Sequence, residues 1–225
     1  MNILPLFRPL RLFCLTSCLV VLPAAALAKP ADWLGEIDAL TRDDAAHPPA
    51  AGGIVFVGSS SIQLWSTLAT DFPGLPVIGR GFGGSELADS VHYLDRIVLP
   101  YRPRTVVLYA GENDLNAGKS PEAVAEDFRE FCVQVRAALP AVRILYIAMK
   151  PSPSRWAKHE IFAQGNALIA ALCARDPRLT FVDVWPAMLG ADGRPRPELF
   201  RPDQLHLNAA GYAGWIRLLT PLLQP

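Results

Sequence analysis

Short apolar runs, each leading towards a glycine or polar residue, constrain this chain more than any other feature. Ile54-Val55-Phe56-Val57 leads into Gly58-Ser59-Ser60-Ser61, and Val77-Ile78-Gly79 leads towards Gly84. Val106-Val107-Leu108-Tyr109 leads towards Asn113, and Phe181-Val182-Asp183-Val184 precedes Asp203 and His206. The runs are rich in β-branched residues and almost continuously apolar, as expected of strands covered by helices on both faces. Helical stretches alternate with them, which implies right-handed crossovers and a parallel sheet. The expected fold is a three-layer α/β/α domain with five parallel strands. In such a sheet the carboxyl ends of all strands lie at one edge, and ligands bind in the crevice outside it. Ser60, Gly84, Asn113, Asp203 and His206 are therefore expected to converge.

Periodicity sets the element boundaries. Strands are predicted at 54–57, 76–79, 105–110, 143–148 and 180–184, and helices at 32–41, 61–69, 85–98, 121–139, 158–174 and 209–219. Ser120 and Pro121 mark the start of the longest helix as N-cap and first-turn residue. Asn208 is read as the N-cap of the last one. Residues 45–53 form a Pro/Ala/Gly linker, and the Pro-, Gly- and Arg-rich stretch between Trp185 and His206 is long enough to suggest a functional loop.

The first 28 residues read as an export signal. Arg8 and Arg11 precede the apolar run from Leu12 to Leu22, and Ala26 and Ala28 flank a cleavage site before Lys29. An uncleaved anchor and lipidation at Cys18, within Leu15-Thr16-Ser17-Cys18, are the competing readings. Residues 29–53 then form an N-terminal helix and linker, and 54–225 the main domain, in a secreted or periplasmic protein. No later segment reaches membrane-spanning length. Basic and acidic residues balance at 21 each without basic runs, which gives no sign of nucleic-acid binding. Beyond the signal only Cys132 and Cys173 remain, both on apolar helix faces. Buried thiols are the default reading, and export leaves a disulfide open. Two cysteines and four histidines do not suggest a metal site.

Each polar motif has a bland reading and a chemical one. A serine where strand turns to helix, as at Ser60, is commonly a cap. It also presents its hydroxyl and backbone N–H at a helix N-terminus, where negative charge is favoured. Asp203-Gln204-Leu205-His206 is either a capping turn or a carboxylate holding one imidazole nitrogen and leaving the other as acceptor. Gly111-Glu112-Asn113-Asp114 is a turn, or brings an Asn side-chain donor to an oxyanion. Gly83-Gly84 lets the backbone approach a ligand and offer an N–H. Gly79-Arg80-Gly81-Phe82-Gly83-Gly84 also fits the dinucleotide fingerprint, but it follows the second strand. The next acids, Glu112 and Asp114, lie about 30 residues on, not the expected distance of about 20. Arg155 and Trp156 follow the fourth strand and are read as rim residues that contact substrate or pack on the surface. Trp65 is read as core, and His47, His92 and His159 as surface or structural.

Taken jointly, Val55-Phe56-Val57-Gly58-Ser59-Ser60, Gly81-Phe82-Gly83-Gly84, Gly111-Glu112-Asn113-Asp114 and Asp203-Gln204-Leu205-His206 resemble the four sequence blocks of the SGNH (GDSL-like) hydrolases. The resemblance covers roughly residues 54–220. It implies a flavodoxin-like sheet of order 2-1-3-4-5 and metal-free hydrolysis of esters or thioesters of lipids, sugars and small acyl compounds. It implies Ser60 as nucleophile, His206 as base and Asp203 as acid, with Ser60 N–H, Gly84 N–H and the Asn113 amide holding the oxyanion. The expected partner is a small-molecule ester, with no cofactor. One departure is visible: the first block usually reads Gly-Asp-Ser, and here Ser59 replaces the Asp. Alignment of the block favours Ser60 over Ser59 and Ser61. The altered block leaves a second reading, a non-catalytic module that binds an acylated sugar or lipid in the same crevice.

Overall fold

The computed structural model describes Met1 and residues 33–224, so the export segment beyond Met1 lies outside the described residues. Strands β1 (Ile54–Gly58), β2 (Val77–Gly81), β3 (Thr105–Tyr109), β4 (Arg143–Ile147) and β5 (Leu179–Val182) form one all-parallel sheet. Their order is β2-β1-β3-β4-β5, as the family resemblance implied. The helices are α1 (Leu34–Thr41), α2 (Ser60–Gln63), α3 (Leu68–Asp71), α4 (Leu87–His92) and α5 (Leu94–Ile97) in the first half. In the second half they are α6 (Glu112–Ala117), α7 (Pro121–Ala138), α8 (His159–Cys173), α9 (Trp185–Met188) and α10 (Ala209–Leu223).

Strand alternation divides the core in two. Val55, Val57, Val106, Leu108, Ile144 and Tyr146 face the layer built from α1, α4, α5, α7 and α8. Ile54, Phe56, Val107, Tyr109, Leu145 and Ile147 face the layer that contains α2, α3 and α10. In the second layer Trp65 is 3% exposed and packs its ring on Phe56, Phe72, Tyr212 and Trp215, as its core reading required. The start signals of the long helices act as predicted. Ser120 Oγ accepts the Ala123 N–H at 3.2 Å, and Asn208 Oδ1 accepts the N–H groups of Ala210 and Gly211. Cys132 and Cys173 are free, buried thiols, and burial pushes each up to about 12.

Three local readings need correction. The helix expected at 61–69 is two short ones, because Trp65 turns into the core and Asp71 accepts from its indole and from the Thr67 hydroxyl, fixing a new start at Leu68. The helix expected at 85–98 breaks at Tyr93, whose ring packs edge-on against Phe82. The polar turn after β3 is a helix, α6, begun at Gly111 with φ of 104°. The stretch between Trp185 and His206 is also less irregular than a plain loop. It holds α9, a 3-10 turn at Pro197–Leu199, and bridges Leu189–Pro195 and Phe200–Leu207.

At the carboxyl edge Gly58 lies abreast of Gly81 on one side and Tyr109 on the other. Its φ is 132°, and a Cβ there would stand 1.9 Å from the Tyr109 carbonyl oxygen. Gly118, which ends α6 with φ of 102°, has nothing within 4 Å of a Cβ. Gly118→Ala is therefore expected to cost only backbone strain, about 1–2 kcal/mol. Gly58→Ala adds overpacking between adjacent strands, for a total of roughly 2–5 kcal/mol. Urea midpoints of the two variants check this, and equal midpoints would contradict it.

Candidate active site

The strand end at Gly58 hands the chain to α2, and Ser60 is the first residue of that helix. The Ser59 N–H donates to Tyr109 O at 2.9 Å, continuing the β1–β3 register by one residue. Ser59 precedes the helix but makes no side-chain cap, so the capping reading of this turn fails. Of the three serines, Ser60 is the one joined to His206, with Oγ 3.0 Å from Nε2. Ser61 Oγ is buried without a partner among the described residues.

His206 is oriented from behind. Its Nδ1 lies 2.7 Å from Asp203 Oδ2, while Asp203 Oδ1 accepts the N–H groups of Leu205 and His206, both at 2.9 Å. Partial burial alone would raise the Asp203 carboxyl. Hydrogen bonds from the imidazole and the two amides outweigh it and hold the group down at about 2. Gln204, with φ of 55°, tightens the turn. Arg201 fastens the turn to the end of α2, donating to Leu207 O and to Leu64 O, each at 3.1 Å.

The Gly83-Gly84 segment is held from the N-terminal helix. Glu36 on α1 accepts the Gly83 N–H at 3.2 Å and the Gln63 side-chain N–H at 3.3 Å. Gly84 has φ of 75°, and the Trp33 ring stands 3.6 Å from where its Cβ would be. Among the described residues no protein acceptor takes the Gly84 N–H. The glycines of the dinucleotide fingerprint serve packing instead. Gly81 is still inside β2, and a Cβ on it would lie 2.3 Å from the Gln63 backbone nitrogen. The Leu87 N–H at the start of α4 donates to the buried Asp114 carboxylate, a negative charge where a pyrophosphate would sit.

Asn113, on α6, donates from Nδ2 to Ser85 O at 2.9 Å. It shares a cavity of about 350 Å3 with Ser60, Gly84 and His206, and Leu64 and Leu205 supply apolar wall. Four of the five predicted site residues thus line one space, and Asp203 stands directly behind the fourth. Under the cavity lies an ionic group that the sequence reading did not single out. Glu112 and Lys150 are 2% exposed each and pair at 2.7 Å. Tyr109 donates its hydroxyl to Glu112, and Arg155 reaches the other carboxylate oxygen at 3.1 Å. Burial would raise the Glu112 carboxyl, but Lys150 and Arg155 together hold it below its ordinary value. The available signal was a lysine ending the otherwise apolar stretch 144–150. Of the two readings of Trp156, substrate contact and surface packing, the second fits: its ring stacks on His159 and leans on Trp185.

Residues 56–213 match the family model described as GDSL-like Lipase/Acylhydrolase. The chain belongs to that family. Among curated relatives, the human platelet-activating factor acetylhydrolase IB subunit alpha1 is 28% identical over 183 residues, covering 76% of this chain and 74% of the relative. Among solved structures, a GDSL-like lipase from Bacteroides thetaiotaomicron superposes with TM-score 0.72 at 19% identity, covering 83% of this chain and 96% of the other. A carbohydrate esterase family 3 protein from Talaromyces cellulolyticus gives 0.58 at 16% identity, over 76% and 95%. The GDSL-like match begins beyond α1, so Glu36 and Trp33 lie outside it. Glu36→Ala is expected to speed amide hydrogen exchange at Gly83 about tenfold, as for losing a bond worth on the order of 1 kcal/mol. Unchanged exchange at Gly83 would show that α1 does not hold the segment.

Proposed function

We propose that this chain hydrolyses carboxylic esters, with Ser60 as nucleophile, His206 as general base and Asp203 as the acid that orients it. One observation carries the reading: Ser60 Oγ and His206 Nε2 lie 3.0 Å apart across 146 residues of sequence. With Nδ1–H donating to Asp203, Nε2 is free to accept the serine proton. Ser60 Oγ attacks the ester carbon, and the carbonyl oxygen becomes an oxyanion. The Ser60 N–H, the Gly84 N–H and the Asn113 amide are assigned to hold that charge. His206 then protonates the departing alcohol, and water repeats the sequence to release the acid.

Short acyl groups suit the cavity. Its volume is about 350 Å3, and polar groups of Tyr109, Glu112, Lys150 and Arg155 reach its lining. A long alkyl chain would desolvate the partly exposed polar groups of Asn113, Arg155 and His206 without pairing them. Similarity to an acetylhydrolase subunit and, in fold, to a carbohydrate esterase supports acetyl and other short esters of sugars or lysophospholipids. The N-terminal sequence supports action outside the cytoplasm. The second reading, binding without cleavage, draws on Ser59 in place of the usual Asp.

Mass spectrometry after a fluorophosphonate probe separates the two. The hydrolase is expected to be labelled at Ser60, and an unlabelled Ser60 would favour the binding module. Turnover of p-nitrophenyl acetate is expected to fall at least ~10³-fold in Ser60→Ala. In Asn113→Ala it should fall roughly 10²–10³-fold with the fold intact. Near-normal turnover in Asn113→Ala would remove Asn113 from the oxyanion site.

A further inference from the structure

An oxyanion donor works only if its N–H points at the developing charge, and a side-chain amide can flip. Asn113 is locked by two neighbours of opposite character. One Nη1 of Arg155 lies 3.1 Å from Asn113 Oδ1, and Asn113 Nδ2 donates to Ser85 O at 2.9 Å. A guanidinium has only donors and a main-chain carbonyl only accepts, so this pairing fits one amide orientation and rejects the flipped one. Nδ2 carries a second N–H that the Ser85 contact leaves unused, and Asn113 lines the cavity beside Ser60.

Arg155 is itself fixed. The same Nη1 lies 3.1 Å from Glu112 Oε1, and Glu112 is buried against Lys150 and Tyr109. The 3-10 helix Pro153–Lys158 that carries Arg155 is tied to the Asp203–His206 turn, because the Ser154 N–H donates to Gln204 O at 3.1 Å. A cation donating to the amide oxygen also draws electron density from the amide nitrogen, which strengthens its remaining N–H as a donor.

We propose that Arg155 is a positioning residue: anchored on Glu112, it holds and polarises the Asn113 amide for the oxyanion. The proposal rests on the ester-hydrolase reading above. It differs from a substrate-contacting role for Arg155, which would act on substrate affinity. Positioning acts on the transition state and therefore on kcat.

The test is a double-mutant cycle on the mature protein with p-nitrophenyl acetate. Arg155→Ala is expected to lower kcat about 10–100-fold with KM within about twofold. The Arg155→Ala/Asn113→Ala double variant is expected to be no slower than Asn113→Ala alone, because Arg155 acts through Asn113. Arg155→Lys, which keeps the charge but on a shorter side chain without the planar guanidinium, should fall between wild type and Arg155→Ala. Two independent losses that multiply, or a loss confined to KM, would overturn the positioning role and leave the hydrolase reading standing. Undiminished turnover in Ser60→Ala would overturn both. Should Arg155→Ala fail to fold, the Arg155→Lys variant and its double with Asn113→Ala supply the same comparison.

Discussion

The pairing of β1 with both neighbours at a single residue, Gly58, governs the rest of the molecule. Its register puts Gly58 beside Gly81 and Tyr109, and the Ser59 N–H extends the ladder onto the Tyr109 carbonyl. The turns after β1, β2 and β3 consequently leave the sheet at the same height. Ser60 at the start of α2, Gly84 after β2 and Asn113 on α6 therefore line one cavity. A side chain at position 58 would press on the Tyr109 backbone and disturb that alignment. Backbone geometry sets the spacing, and the side chains inherit it.

Beneath this edge the molecule keeps a buried ion pair. Removing Lys150 and Glu112 from water is costly, and their attraction repays it only when the remaining polar atoms are satisfied. Here Tyr109, Arg155 and Lys150 all turn to one carboxylate. Such a group adds little to stability compared with apolar packing, but it fixes directions. The guanidinium it holds reaches Asn113, and the segment bearing that guanidinium reaches the histidine turn. The start of α6 and the histidine turn are thereby linked through the Arg155 segment.

Much of this was legible in the sequence, for local reasons. Apolar runs rich in β-branched residues, alternating with helical stretches, marked the five strands, and Ser120 and Asn208 marked helix starts that the structure keeps. Asp203 and His206 were readable because both belong to one turn. Ser60 was readable because strand-to-helix turns carry recognisable residues. The ionic group was not, because Glu112 meets Lys150 across 38 residues and Arg155 across 43, and no local pattern announces such a meeting. Arg155 looked like a rim residue for that reason. The short helices α2 to α5 were misjudged because Trp65 and Tyr93 are claimed by the core, and tertiary packing overrides helical periodicity there.

The hold of Glu36 on Gly83 changes what counts as the minimal functional unit. The stretch shared with the family begins at Phe56, twenty residues past that carboxylate. A protein trimmed to the shared stretch would lose the first two residues of β1, Ile54 and Val55, and would leave the Gly83 N–H without the Glu36 acceptor. Here the boundary of the family match and the boundary of the parts that brace the crevice do not coincide, because α1 lies before the match and supports the Gly83 segment.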